Sequence, residues 1–200
     1  MKLIVITTEC FFEGESDALN SLFDNGMELL HLRKPKASET ETAHLIEQIR
    51  QKYHHRIVIH DHFSLATEFH LKGIHLNHRN PHIPNHFQGT KSLSCHALDE
   101  LAQHPEMDYL FLSPIFDSIS KDNYMSSFPE SLLYTLKENG VIHEKIIALG
   151  GVNPQNVCKV KDYGFGGAAV LGGLWEDFHN QQDTNMLLTR FKEFQHAVGQ

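Results

Sequence analysis

Cysteine is scarce in this chain: Cys10, Cys95 and Cys158 are three widely spaced residues with no CxxC pair. An odd number in that spacing disfavours a disulfide framework and fits reduced thiols packed as small side chains. Long apolar runs are also missing, the longest being strand-sized and far short of a membrane span. Positive charge is in deficit, with 17 basic residues against 25 acidic ones and a formal charge of −8, which argues against nucleic acid or an anionic membrane as partner. The opening Met1–Thr8 has too short an apolar core for a signal peptide, so a cytoplasmic location is expected. No GxGxxG follows the first apolar run, where Thr7-Thr-Glu-Cys-Phe-Phe12 stands instead, so a dinucleotide-binding open sheet is the weaker alternative.

What is present alternates from end to end. Apolar, β-rich runs at 2–7, 28–33, 56–60, 73–76, 90–95 and 108–113, and the glycine-ended runs 145–152 and 167–174, read as strands. Helices are predicted over 16–26, 38–54, 63–71, 97–104, 129–139, 153–163 and 184–197, the second opened by a Ser38/Glu41 capping box. Segments 77–89 and 114–127 read as irregular. Eight strands alternating with helices predict one (β/α)8 barrel over residues 1–200, with trimmed helices to fit the length.

Two of the strands end alike, in Lys145-Ile-Ile-Ala-Leu-Gly-Gly-Val152 and Gly167-Ala-Ala-Val-Leu-Gly-Gly-Leu174. Glycines there expose backbone N–H groups beside a helix start, which is how the last two strands of such a barrel grip a phosphate. A phosphorylated small molecule is therefore the expected ligand. Catalytic groups in a barrel project from the C-terminal strand ends. Those ends carry His31-Leu-Arg33, His60-Asp61-His62, His75 with Asn77-His78-Arg79-Asn80, Ser94-Cys95-His96, and Ser113 running on to Lys121. Arg33 offers a planar fork for phosphate or pyrophosphate. His60-x-His62 also resembles a two-histidine metal motif, although later strands offer no evident further ligands.

In this order and spacing the residues resemble the thiamine phosphate synthase and TenI-like thiazole tautomerase family. The pattern runs through His31-Leu-Arg33, His60-Asp-His-Phe-Ser-Leu-Ala66, Gly73-Ile-His-Leu76, Ser94-Cys-His96, Asp108-Tyr-Leu-Phe-Leu-Ser-Pro-Ile-Phe116, Ser118-Ile-Ser-Lys121, Ala148-Leu-Gly-Gly-Val152 and Gly167-Ala-Ala-Val170. The resemblance implies the same barrel and a thiamine-pathway enzyme. It places Arg33 and Lys121 in a pyrophosphate clamp and Asp61 as a Mg²⁺ ligand. Ser118, Ser120, Lys121, Gly150, Gly151, Leu171 and Gly172 would hold the thiazole phosphate, with His31, His60 and Ser94 also at the substrate. His96 is the implied proton-transfer base, alongside Arg33 and Lys121 in catalysis. The departures fall on the pyrophosphate and metal side: the clamp has His31 and Pro35 where the family has Gln and Lys, and the second metal carboxylate is Asn80. A tautomerase without a cofactor is thus favoured, the alternatives being a Mg²⁺-dependent synthase or a non-catalytic phosphate binder. Association into a homo-oligomer is possible.

Overall fold

The computed structural model describes residues 1–117, 128–176, 178 and 183–199. Eight parallel strands close into a barrel in chain order, β1 pairing with β8 through Lys2↔Gly167 to Val5↔Val170. They are β1 (Lys2–Ile6), β2 (Leu29–Leu32), β3 (Ile57–Ile59), β4 (Gly73–Leu76), β5 (Thr90–Cys95), β6 (Tyr109–Leu112), β7 (Ile146–Leu149) and β8 (Gly167–Val170). The helices are correspondingly short: α1 (Glu15–Asp24), α2 (Glu39–Gln48), α3 (Ser64–Glu68), α4 (Leu98–Leu101), α5 (Glu130–Glu138), α6 (Val157–Asp162), α7 (Gly172–Trp175) and α8 (Thr184–Gly199). None of the described helices is long and apolar enough to cross a membrane.

The near-continuous apolarity of the strands follows from burial on both faces. Side chains alternate with the period of two. Val5, Leu30, Ile57, Ile59, Ile74, Leu110 and Ala168 pack outward beneath the helices, while Ile4, Ile6, Leu29, Val58, Phe111, Ile147 and Ala169 belong to a separate inner cluster. The same alternation turns His31, His60, His75 and Ser92 inward, because each stands two residues from an inward neighbour or shares its register. α8 closes the structure against α1, α6 and α7. The Trp175 indole N–H donates to the Ile6 carbonyl at 2.8 Å and ties α7 to β1.

The helices α3, α4 and α6 are shorter than predicted, and α2 loses the most. The Ser38/Glu41 capping box starts α2 as expected. The helix stops at Gln48, however, and the predicted stretch to residue 54 becomes an extended Ile49 followed by a 3-10 turn over Gln51–Arg56. Asn20 of α1 holds the break: its Nδ2 donates to the Gln48 carbonyl at 3.1 Å, and its Oδ1 accepts from the Arg50 N–H at 3.0 Å. The turn then lays Tyr53 on Phe23 with ring centroids 4.5 Å apart.

Candidate functional site

The C-terminal end of the barrel opens into a cleft of about 800 Å³. Arg33, His60, Ser94, His96, Gly150, Gly151, Leu171 and Gly172 line it, so the strand ends converge as the sequence pattern anticipates. Arg79, His78, Ser113 and Gly173 stand there too. Ser118, Ser120 and Lys121 lie outside the described residues.

The glycines work by closeness. Gly150 and Gly151 have φ of 95° and 64°, a left-handed backbone that side chains rarely adopt. A Cβ on Gly151 would sit 2.2 Å from the Asp117 carbonyl oxygen, and one on Gly150 would sit 2.8 Å from Pro114. That approach lets the Ile115 and Phe116 N–H groups donate to the Leu149 and Gly150 carbonyls, which brings the segment after β6 alongside the end of β7. Gly173 likewise meets the Val152 carbonyl, where a Cβ would be 2.4 Å away, so the ends of β7 and β8 form one continuous wall. His96 follows β5 on the exposed rim, its Nδ1 3.2 Å from the Ser113 hydroxyl.

Beneath the cleft the barrel interior holds an imidazole network. His31 Nδ1 lies 2.9 Å from His60 Nε2, and His31 Nε2 lies 2.6 Å from the Tyr109 hydroxyl. The His75 ring nitrogens meet the hydroxyls of Ser92 and Ser94 at 2.8 and 2.9 Å, and His75 stacks on His60 at 4.2 Å between centroids. Burial holds all three below the usual imidazole range, His75 at about 3, with the Arg33 charge pressing the same way on His75. Neutral imidazole carries one donor and one acceptor, so the Tyr109–His31–His60 chain has two self-consistent proton arrangements. It ends at the cleft wall on His60. His31 itself is below the floor, fully buried and bonded on both nitrogens, rather than beside the ligand.

The three rings have nitrogens within 4.8 Å of one another, a candidate metal set. Tetrahedral zinc at ~2.0–2.1 Å from each nitrogen would need them nearer ~3.3 Å. Both nitrogens of His31 and of His75 are already hydrogen-bonded, so the arrangement is a proton network rather than a chelate. The His60-x-His62 pair does not converge either, because His62 Nε2 turns to the Ala37 carbonyl at 2.8 Å.

The expected Mg²⁺ position does not fit its ion. Asp61 is the carboxylate there, and Asn80 adds an amide whose Nδ2 points at Asp61 Oδ1, 3.0 Å away, as a donor. Arg79 contributes two further nitrogens, Nε at 3.1 Å and Nη2 at 3.0 Å from the same oxygen. A hard divalent cation needs oxygen ligands, and this set presents one carboxylate already engaged by three N–H donors. The clamp is altered as well. Lys34 is not available to an anion, because its Nζ is buried on Glu15 at 2.7 and 2.8 Å and on the Cys10 carbonyl at 2.9 Å. Arg33 donates to Glu9 at 2.7 Å on the cleft rim. Arg79 is the residue that spacing alone left without a role. The signal for it is a guanidinium adjacent to the position where a carboxylate was replaced by an amide.

Comparison with known proteins agrees with this architecture. A family model described as thiamine monophosphate synthase (TMP-TENI) matches residues 3–174. The crystal structure of a thiamine phosphate pyrophosphorylase from Bacteroides thetaiotaomicron is 40% identical, with a TM-score of 0.91 over 100% of this chain and 98% of that one. A thiamine-phosphate synthase from Clostridium tetani is 29% identical over 182 residues, 84% of this chain and 85% of its own. One from Synechococcus sp. (strain CC9605) is 25% identical over 201 residues; the match covers 96% of this chain but spans only 56% of that longer relative. A thiamine phosphate pyrophosphorylase from Pyrococcus furiosus, 19% identical with a TM-score of 0.73 over 99% of this chain and 95% of its own, shares the fold.

Proposed function

The chain belongs to the thiamine monophosphate synthase family, and from that premise we propose that it is a thiamine-pathway enzyme that binds a thiazole phosphate and relocates a proton on it, a thiazole tautomerase. The observation that carries this reading is an asymmetry. The glycine wall of Gly150, Gly151, Leu171 and Gly172 and the histidine His96 share one cleft, whereas the carboxylate pair for a metal is gone.

The phosphate would lie against the backbone at Gly150–Gly151 and Leu171–Gly172, with Ser118, Ser120 and Lys121 completing its shell as the family pattern assigns them. The thiazole ring would then extend toward Ser94 and His96. Imidazole is the side chain whose ordinary pKa suits proton removal and return near neutrality. In this reading His96 takes the proton from the non-aromatic tautomer of a thiazole phosphate carboxylate and returns it elsewhere on the same molecule. Atoms and charge balance without a second substrate. Arg33 would meet an anionic group of the ligand.

A second reading, synthesis of thiamine phosphate from a pyrimidine-methyl pyrophosphate and the thiazole phosphate with Mg²⁺, rests on the names its relatives carry. The two separate in one experiment. Purified protein is given the non-aromatic thiazole phosphate carboxylate, and its aromatisation is followed by absorbance and NMR. A parallel vessel holds the pyrimidine pyrophosphate, thiazole phosphate carboxylate and Mg²⁺, and a second such vessel holds a known synthase as control. Catalysed aromatisation that His96→Ala removes supports the tautomerase. Robust thiamine phosphate formation would overturn it in favour of the synthase.

A further inference from the structure

We propose that Arg79 is the resident cation of this cleft: seated on Asp61, its guanidinium takes the place of a divalent ion, and anion binding by this protein is independent of Mg²⁺. The inference deepens the functional reading above and rests on it for the class of ligand, a thiazole phosphate bearing a further anionic group.

The geometry is that of a built seat. Asp61 is 10% exposed and accepts Nε and Nη2 of Arg79 on Oδ1, with Nη2 also 3.3 Å from Oδ2. A planar fork on a nearly buried carboxylate is the arrangement in which a guanidinium is both oriented and neutralising. The segment that presents Arg79 is fixed at both ends, since Asn77 and Asn80 exchange backbone hydrogen bonds at 3.2 and 3.0 Å. Asn77 Oδ1 accepts from the Arg79 N–H at 3.0 Å, and the Asn77 and Asn80 amides donate to the His60 carbonyl at 2.7 and 3.2 Å. The turn is thereby tied to the end of β3, next to the buried imidazoles. The Arg79 side chain remains 43% exposed and faces the same cleft as Arg33 and His96.

Two local facts oppose a metal at this point. Asp61 Oδ1 already accepts from three nitrogens, and Asn80, where a second carboxylate would sit, donates instead of accepting. A divalent ion would have to displace Arg79 and would then find a single carboxylate. A single carboxylate is a thin ligand set for an ion that holds its waters tightly. Arg79 supplies one unit of positive charge with no ion to recruit. It also retains N–H directions for an anionic oxygen, whether from a carboxylate or from a pyrophosphate.

The test is calorimetric titration of the full chain with two probes, inorganic pyrophosphate and a thiazole carboxylate lacking phosphate, each in EDTA and in Mg²⁺. The expected result is an affinity for at least one probe that EDTA leaves unchanged. Arg79→Gln should weaken that affinity by about 10–100-fold, the range for a lost charge-assisted hydrogen bond. Because Arg79→Gln leaves Asp61 uncompensated, Arg79→Gln/Asp61→Asn provides a neutral partner variant that should show the same loss. Arg79→Ala/Asn80→Asp rebuilds a carboxylate pair and should acquire Mg²⁺-dependent binding that the native protein lacks. The probe that Arg79→Gln affects identifies the anion. Binding by the native protein that requires Mg²⁺, or binding of both probes untouched in both Gln variants, would overturn the proposal. Turnover reports separately: metal-free anion binding without aromatisation would sink the tautomerase and spare Arg79, and Mg²⁺-dependent aromatisation would do the reverse.

Discussion

Lys34 is the cation nearest in sequence to the Arg33 fork, and its burial makes a quantitative demand. Its side chain is 1% exposed and that of Glu15 is 2% exposed; both Glu15 oxygens lie within 2.8 Å of Nζ, and the Phe11 ring is 4.7 Å away. Burial dominates the partners' mutual attraction, raising Glu15 and lowering Lys34. In such a pair, removing one member strands a charge and destabilises by about 3–5 kcal/mol, whereas replacing both with apolar groups of similar volume is neutral or stabilising by about 1–4 kcal/mol. Glu15→Gln and Lys34→Met should therefore each lower stability by about 4 kcal/mol at neutral pH. With a urea slope of roughly 2 kcal/mol per molar, the unfolding midpoint falls by about 2 M. Glu15→Leu/Lys34→Met should recover most of that loss, a strongly non-additive cycle. Lys34→Met should also be less destabilised at pH 5 than at pH 8. The lone buried carboxyl holds its proton in the folded state, and that proton is released on unfolding once pH exceeds the ordinary Glu value. Single variants costing less than about 1 kcal/mol, or effects that simply add, would refute the burial argument. A Lys34→Met protein of native stability that no longer binds phosphate would make Lys34 a ligand group instead.

Acid should unfold this protein early. With folded pKa values held below the ordinary His value of about 6.5, the unfolded chain binds protons that the folded core refuses. Stability thus falls as pH drops below about 6.5, by up to roughly 1.4 kcal/mol per pH unit for each of His31, His60 and His75. Thermal melts from pH 7.5 to 4.5 measure this, and a flat profile would place protons on the network. Gly151→Ala forces a Cβ against the Asp117 carbonyl at a φ of 64°, so a loss of about 1–3 kcal/mol is expected by denaturant titration, together with weakened phosphate binding. Ser38→Ala removes the cap from α2 and should cost about 1 kcal/mol without altering ligand affinity, which tests that the helix start and the cleft are independent.

Much of this was open to a reader of the sequence, for a local reason. Strand periodicity, helix caps and glycine-ended turns are written in neighbouring residues, so β4 and β5 fall on the predicted bounds and the cap of α2 on Ser38. Arg33, His60, Ser94, His96 and the glycines after β7 and β8 share one cleft, because barrel closure brings the ends of eight such units together, whereas His31 is buried beneath it. The end of α2 was not legible, since Asn20 of another helix decides it. Nor was the assignment of cations. Lys34 and Arg79 look alike as neighbours of clamp and metal positions, yet one is locked on Glu15 inside the protein and the other is held on Asp61 in the cleft. Apolar periodicity, helix caps and glycine-ended turns along the chain determined the fold. Which positive groups face the ligand was decided by tertiary packing, because a charge is functional or structural according to the partner that folding places beside it.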